Sequence, residues 1–266
     1  MNKTFKGWDG ILTFFKRYNL TILIGIIFIV VWALVTKYAT WINPVIFPQP
    51  LTVVESFSSK IGELLTGVVS SMKLLIPGFF GALVTGIVGG LFFGLNKRSR
   101  EILMPYFHAL SPIPPTLFIP YVIAILPTFQ TASMSLIFIG AFWPVFLGTI
   151  HGVLLIEKHY LDNAKSLGLK GPTFLLKVVL PASAPHILSG ASTSLGMSFL
   201  ILTIAEMFGA SSGMGFFIQY YSDFSQYHYV LAGIIFNSII IVAVMIAFEK
   251  LKKRLLFWTN LKADGK

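Results

Sequence analysis

Glu206 sits in the apolar run Ile201-Leu-Thr-Ile-Ala-Glu-Met-Phe208 and is the only carboxylate inside or at the edge of such a run between Glu101 and Glu249. An ionisable side chain at the centre of a membrane helix costs roughly 2.5–3.5 kcal/mol on insertion scales, so it marks a candidate functional residue. Its place near the end of the run softens that argument. Two roles are open to it: a carboxylate on a substrate pathway or outer gate, or an acceptor for the Gly-rich segment that follows. Left unpaired, it would repel an anionic substrate. Ser192, Thr193, Ser194, Ser198 and Thr203 precede it on the same run. Their hydroxyls can face a passing substrate or bond back to their own helix carbonyls. Ser194 and Ser198 are the pathway candidates among them. Trp143, beside Phe142 and Pro144, lines a cavity or packs.

Other chemistries find no residues. The chain has no cysteine, which excludes a disulfide framework, a thiolate zinc site and an iron–sulfur cluster. Its five histidines do not cluster; the nearest pair, His151 and His159, straddles a span boundary and reads as polar boundary residues rather than metal ligands. No nucleophile–base or His/Asp/Glu constellation falls on one face, so a membrane-embedded enzyme lacks its parts. There is no Gly-x-x-x-x-Gly-Lys-Ser/Thr run to cradle a nucleotide phosphate.

The elements that position these residues are membrane helices. Of 266 residues 55% are hydrophobic and only 11% charged, against roughly a quarter charged in a soluble domain. About 20 apolar residues cross the hydrocarbon core, and six runs qualify: 20–36, 74–95, 102–126, 132–152, 182–208 and 229–248. The expectation is an all-α polytopic fold, a single domain over 1–266, with the first run an uncleaved anchor. Lys and Arg gather in the N-terminal tail (four), Lys97 to Arg100 (three), Glu157 to Lys177 (four) and the C-terminal tail (six), leaving Lys37, Lys60 and Lys73 for the other face. By the positive-inside rule both termini are cytoplasmic. The net charge of +10 thus reads as membrane orientation rather than nucleic-acid binding.

Between the first two runs, Pro44, Pro48 and Pro50 open an extended strap, and Val53, Val54, Phe57, Ile61, Leu64 and Leu65 then return at helical spacing. That predicts a short helix lying at the outer surface. In the second span, Gly78, Ala82, Gly86, Gly90 and Gly94 form a small-residue stripe that invites close helix packing. The third holds Pro105, Pro112, Pro114, Pro115, Pro120 and Pro127, which bend or break a helix. Broken backbone inside a membrane is buried in protein or lines a cavity, so this span is either a kink or part of a pathway.

The segment 153–181 carries the most specific pattern. Tyr160, Leu161, Ala164, Leu167 and Gly168 give a short helix one apolar face, with Asp162, Asn163, Lys165 and Ser166 opposite. Gly168 suits a left-handed helix stop and Pro172 the first turn of the next helix. Asp162-Asn-Ala-Lys-Ser-Leu-Gly168 followed by Leu180-Pro181 resembles the signature loop of binding-protein-dependent ATP-binding cassette importer permeases, Glu-Ala-Ala-x-x-x-Gly and then Ile-x-Leu-Pro. Asp162, Asn163 and the ending Val179-Leu180-Pro181 depart from that pattern; Ala164, Gly168, Leu180 and Pro181 match it. Ile46-Phe-Pro-Gln-Pro50, the proline-rich stretch, Phe142-Trp-Pro-Val-Phe146 and Ala205-Glu-Met-Phe-Gly209 with Gly213-Met-Gly215 are similar to the branch handling nitrate, sulfonates, taurine and thiamine-precursor pyrimidines.

The resemblance implies a type I importer transmembrane domain, multi-pass in the cell membrane and not itself an enzyme. Residues Tyr160, Leu161, Asp162, Asn163, Ala164, Lys165, Ser166, Leu167, Gly168 and Leu169 would be its coupling helix, seated on a separate ATPase. No cofactor is expected on this chain; ATP and Mg belong to the partner ATPase dimer. The other partners implied are an extracytoplasmic substrate-binding protein, a second copy of the chain and the lipid bilayer, with no nucleic acid. An ion-coupled secondary transporter is the alternative, and it would show internal repeats and midplane charge pairs that the sequence lacks.

Overall fold

A computed structural model describes residues 5–39, 41 and 43–260, with side chains from residue 20 to 258 apart from 40 and 42. Among the described residues all regular structure is helical. Five helices among the described residues are long and apolar enough to cross a membrane, or six if one bent helix pair counts as a single span. The basic N-terminal residue Lys3 and the C-terminal Lys262 and Lys266 lie outside the described residues.

The chain divides into two compact units, one of residues up to Ile61 with Tyr221–Ala232, the other of Gly62–Tyr220 with the residues from Gly233 onward. In the first, α1 (Phe5–Tyr38) exposes apolar side chains from Leu20 to Leu34 on several sides. In the same unit, Lys60 stands over the rings of both Tyr221 and Tyr229, at 5.5 and 5.7 Å.

Helix α2 (Pro50–Leu95) corrects one expectation. The predicted surface helix and the second span are a single element of 46 residues, about 69 Å long at 1.5 Å per residue. Pro50 occupies its first position, where the missing N–H costs nothing. Between Pro50 and Pro77 no residue removes a backbone donor, so nothing ends the helix at the membrane boundary.

The second unit is built on three helices in tight register: α2 from Gly62 onward, α5 (Phe129–Leu154) and α8 (Leu180–Gly209). The stripe on α2 receives α5. A methyl group at Gly78 would touch Ile137, at Gly86 Val145, at Gly90 Thr149 and at Gly94 Val153. Both rows repeat every fourth residue, so the two backbones run close along one seam. On its other side α5 meets α8: a Cβ at Gly148 or Gly152 would crowd the backbone or side chain of His186. The core of the seam is Leu74, Phe79, Ala82, Leu136, Ile137, Ala141, Leu195, Phe199 and Leu202.

The proline-rich span is broken. Helix α3 (Lys97–Leu110), capped by the Asn96 side chain, gives way to a 3₁₀ turn Pro115–Phe118 and α4 (Ile119–Ile125), with a 72° bend between the halves. Helix α10 (Tyr227–Leu255) supplies the last span, and α11 (Phe257–Asn260) follows it.

Candidate functional site

Two regions at opposite ends of α8 hold the candidate residues. At its N-terminal end, the connection from α5 carries α6 (Lys158–Ser166). The helix stops as a complete Schellman turn. The Gly168 N–H donates to the Lys165 carbonyl at 2.9 Å, and the Leu169 N–H donates to the Ala164 carbonyl at 3.1 Å. Gly168 sits at φ +77°, where an L-residue would be strained. Helix α7 (Gly171–Phe174) follows with Pro172 in its first turn.

One π-helical turn, Leu175–Val179, then joins α7 to α8. Its wide ring is closed by the Leu180 N–H on the Leu175 carbonyl, and Pro181 comes directly after. Pro181 has no N–H for the Lys177 carbonyl, and its ring would crowd that oxygen in a regular α-helix. A local π turn is one way to absorb such a residue, and such turns recur at functional sites.

The inner face of α6 is narrower than its sequence pattern implies. Ala164 is buried, and Leu161 packs on a cluster of Leu91 from α2, Val153 from α5 and Val179 from the π turn. Tyr160 and Leu167 turn outward, Leu167 being 80% exposed. Asp162, Asn163, Lys165 and Ser166 are exposed as well, and Leu169 is half-buried. The result is a short rigid helix whose outer side is free and whose inner side rests on the ends of three spans.

At the other end of α8, Glu206 is buried to 1% exposure. The Ser71 hydroxyl of α2 donates to its Oε1 at 2.6 Å, and the Gly215 N–H donates to its Oε2 at 2.8 Å. The Met214 N–H in turn donates to Ser71 Oγ at 2.9 Å. Met214 and Gly215 open α9 (Met214–Asp223), so the pair satisfies two backbone donors that a helix start leaves unpaired. The carboxylate and serine together act as a remote N-cap.

Glycine is required there. A Cβ at Gly213, whose φ is +134°, would collide with the Glu206 carboxylate, and one at Gly215 would collide with the Thr203 carbonyl. The bond to the Gly-rich segment, one of the two roles open to Glu206, is present in the structure. Nothing in the local sequence pointed to Ser71 as its partner.

The expectation that Ser194 and Ser198 present hydroxyls to a substrate does not match their placement. Both are fully buried. Ser194 donates to the Ala141 carbonyl at 2.7 Å, tying α8 to α5, and Ser198 donates back to the Ser194 carbonyl at 2.8 Å. Thr193 and Thr203 likewise bond back one turn. Ser192 donates to Glu249 at 2.7 Å, and the Asn237 amide of α10 donates to Thr203 Oγ1 at 3.3 Å. Burial leaves Ser194 and Ser198 no water, so the nearest carbonyl takes their hydroxyls.

Trp143 is half-buried in an aromatic cluster with Phe107, Phe142 and Phe146. It also lines a cavity of about 190 Å³ between the break in the proline-rich span, α5 and α8, with Ser111, Pro114, Thr116 and Met197 on the wall. The freed backbone of the break thus borders a cavity, as non-helical backbone in a membrane must unless protein covers it. Trp143 is a pathway candidate that borders open space.

The chain matches the family model described as "Binding-protein-dependent transport system inner membrane component" over residues 82–257. It is 30% identical over 249 residues to the "Putative aliphatic sulfonates transport permease protein SsuC" of Bacillus subtilis, covering 92% of this chain and 90% of that one. It is 34% identical over 191 residues to the bicarbonate transport system permease protein CmpB of Synechococcus elongatus, covering 71% and 67%. A solved chain of the MetNI methionine ABC transporter, in an inward-facing conformation, superposes with a TM-score of 0.64 at 15% identity over 74% of this chain and 98% of that one, which shows a shared fold. The chain therefore belongs to the family of binding-protein-dependent transport system inner membrane components, as a non-catalytic permease subunit of an ABC importer.

Proposed function

We propose that this permease forms half of the translocation pathway of an importer for small anions, driven through α6 by a separate ATP-binding cassette dimer. The observation that carries the reading is the construction of α6. Its outer side chains, Tyr160 and Leu167, are free to meet a partner, while Leu161 and Ala164 rest on Leu91, Val153 and Val179. A push on α6 therefore reaches the ends of α2, α5 and α8 together. The ATPase states can shift the permease only if they grip α6 differently, and a helix held rigid by a Schellman turn transmits such a difference without yielding. Residues Tyr160 to Leu169 are the coupling element in this reading; Trp143 and the cavity at the proline break belong to the pathway, and Glu206 to its outer frame.

ATP and Mg would be held by the ATPase alone. Positive charge at Arg98, Arg100, Lys158, Lys165, Lys170 and Lys177 argues for α6 and both termini on the cytoplasmic side, with α9 facing the binding protein. A second copy completes the pathway. The relatives named for aliphatic sulfonates and for bicarbonate support a small anionic cargo delivered by a binding protein.

Coexpression with a cognate ATP-binding cassette ATPase and binding protein tests this. The expected result is copurification, with ATP hydrolysis stimulated by the binding protein and that stimulation lost when glycine is inserted between Ala164 and Gly168. Transport by the purified chain alone down an ion gradient would sink the idea.

A further inference from the structure

The end of the bundle that holds Glu206 contains a second polar feature, which the coupling reading does not use. A cavity of about 210 Å³ opens between α2, the start of α5 and the connection from α8 to α9. Its polar wall is Ser70, Lys73, Gln130, Ser211 and Ser212, and Leu74 and Phe129 supply apolar wall. We propose that this cavity is a resting site for a small oxyanion such as a sulfonate. The proposal rests on the importer reading for the direction of traffic but not for the binding itself.

Lys73 is the first argument. It lies about 33 Å along the α2 axis from Leu95, roughly one hydrocarbon thickness from that end. At that boundary a lysine stays wet, and Lys73 is exposed. Lys73 has no ion-pair or hydrogen-bond partner among the described residues. Its ammonium brings three donors and a full charge to the cavity wall.

The neighbouring polar side chains, Ser211, Ser212 and Gln130 exposed and Ser70 half-buried, make no bond within the protein that an occupant would have to break. Along α2, Ser56, Ser58, Thr66 and Thr85 all donate to their own helix carbonyls. Ser70 does not, and neither Ser211, Ser212 nor Gln130 makes a side-chain hydrogen bond among the described residues. A wall with one cation, three free hydroxyls and one free amide matches the several oxygens of a sulfonate, which bind best to charge-assisted donors. No carboxylate is on that wall. The acid nearest in sequence, Glu206, has its two oxygens engaged by Ser71 and Gly215. Leu74 and Phe129 offer contact to the carbon portion of an alkyl sulfonate. An occupant would touch Ser70, next to Ser71, and Ser212, next to Gly213, so it would bridge the two sides that Glu206 joins.

The full chain in phosphatidylcholine nanodiscs, titrated with ethanesulfonate while its thermal unfolding is followed, tests the site. Sodium chloride at equal ionic strength and choline are the controls. The expected result is a saturable rise in the unfolding midpoint with ethanesulfonate alone, weakened about tenfold or more in Lys73→Gln and largely kept in Lys73→Arg. If Lys73→Gln does not fold, the Ser211→Ala/Ser212→Ala double variant serves in its place, with a several-fold weakening expected. A rise that is unsaturable, or equal in wild type and variants, overturns the proposal. Repeating the titration with phosphatidylglycerol in the disc separates the two sources of an oxyanion. Loss of the ethanesulfonate response there assigns the cavity to a lipid phosphate and overturns the resting-site role; an unchanged response supports it. Because the ATPase is absent, these outcomes are independent of whether α6 couples.

Discussion

Ser71 and Glu206 lie 135 positions apart and share a buried hydrogen bond of 2.6 Å. The same serine oxygen accepts from the Met214 N–H, so α2, α8 and α9 meet at one hydroxyl. Ser71→Ala leaves the Met214 N–H without its acceptor and removes a donor from the carboxylate. The expected loss is about 1–3 kcal/mol, read as a lower unfolding midpoint in nanodiscs. An unchanged midpoint would mean that the bond does not hold α9.

Glu206→Gln keeps the shape and one acceptor for the Gly215 N–H, whereas Glu206→Ala keeps neither. If Glu206 serves as a remote cap, the alanine variant is destabilised by about 1–3 kcal/mol and the glutamine variant by less. Transport assays on the assembled importer add the other half. Glutamine should transport nearly as well as wild type, and a selective transport defect at normal stability would return Glu206 to a pathway or gate role.

Gly213→Ala places a methyl group against the Glu206 carboxylate at a φ of +134°. Strain and overpacking add, at about 1–3 kcal/mol each, so poor membrane expression is expected. Gly196 on α8 has open space where a methyl group would sit, with nothing within 4 Å, and Gly196→Ala should gain up to about 1 kcal/mol from helix propensity in the isolated chain. Comparing the two by fluorescence-detected gel filtration checks the contrast.

Leu167→Glu changes only an exposed side chain on the outside of α6, so its effect on stability should stay within about 0.5 kcal/mol. Coupling is where it should show: transport falls steeply while basal ATP hydrolysis by the partner persists. Gly168→Ala strains the left-handed stop by roughly 1–2 kcal/mol and should give a partial form of the same defect. Normal coupling in both variants would remove α6 from the mechanism.

Gly90→Val tests the packed seam. The new side chain would strike Thr149 on α5, at a cost of about 1–3 kcal/mol. The compensating change Thr149→Gly, which removes the Cβ that is struck, should recover part of the loss, measured as a double-mutant cycle in unfolding midpoint. Absence of any recovery would show that the seam relaxes elsewhere.

Much of this protein could be read from local pattern. Apolar run length announced the spans, the Gly78-to-Gly94 stripe announced a close helix neighbour, and Gly168 with Pro172 announced a stop and a restart. Each is a property of residues within a few turns of one another, where backbone sterics and side-chain periodicity act directly. Even here the local view overreached once: the helical spacing of Val53, Val54, Phe57, Ile61, Leu64 and Leu65 suggested a separate short surface helix, but a helix that meets no breaker simply continues.

The use the chain makes of its polar groups emerged only from packing. Ser194 and Ser198 look like pathway hydroxyls in a row, yet helix packing buries both and turns them to carbonyls. Glu206 looks like an isolated acid, yet Ser71 and the start of α9 complete it. The reason is physical: composition and period establish that a helix forms and which face is apolar, while the partner of a buried hydrogen-bonding group depends on which turns of distant helices come into register. Local pattern was therefore enough to specify a multi-span membrane protein with a helix–turn–helix, and the packing of α2, α5 and α8 joined Glu206 to Ser71 and the start of α9 and set Lys73 on a cavity wall.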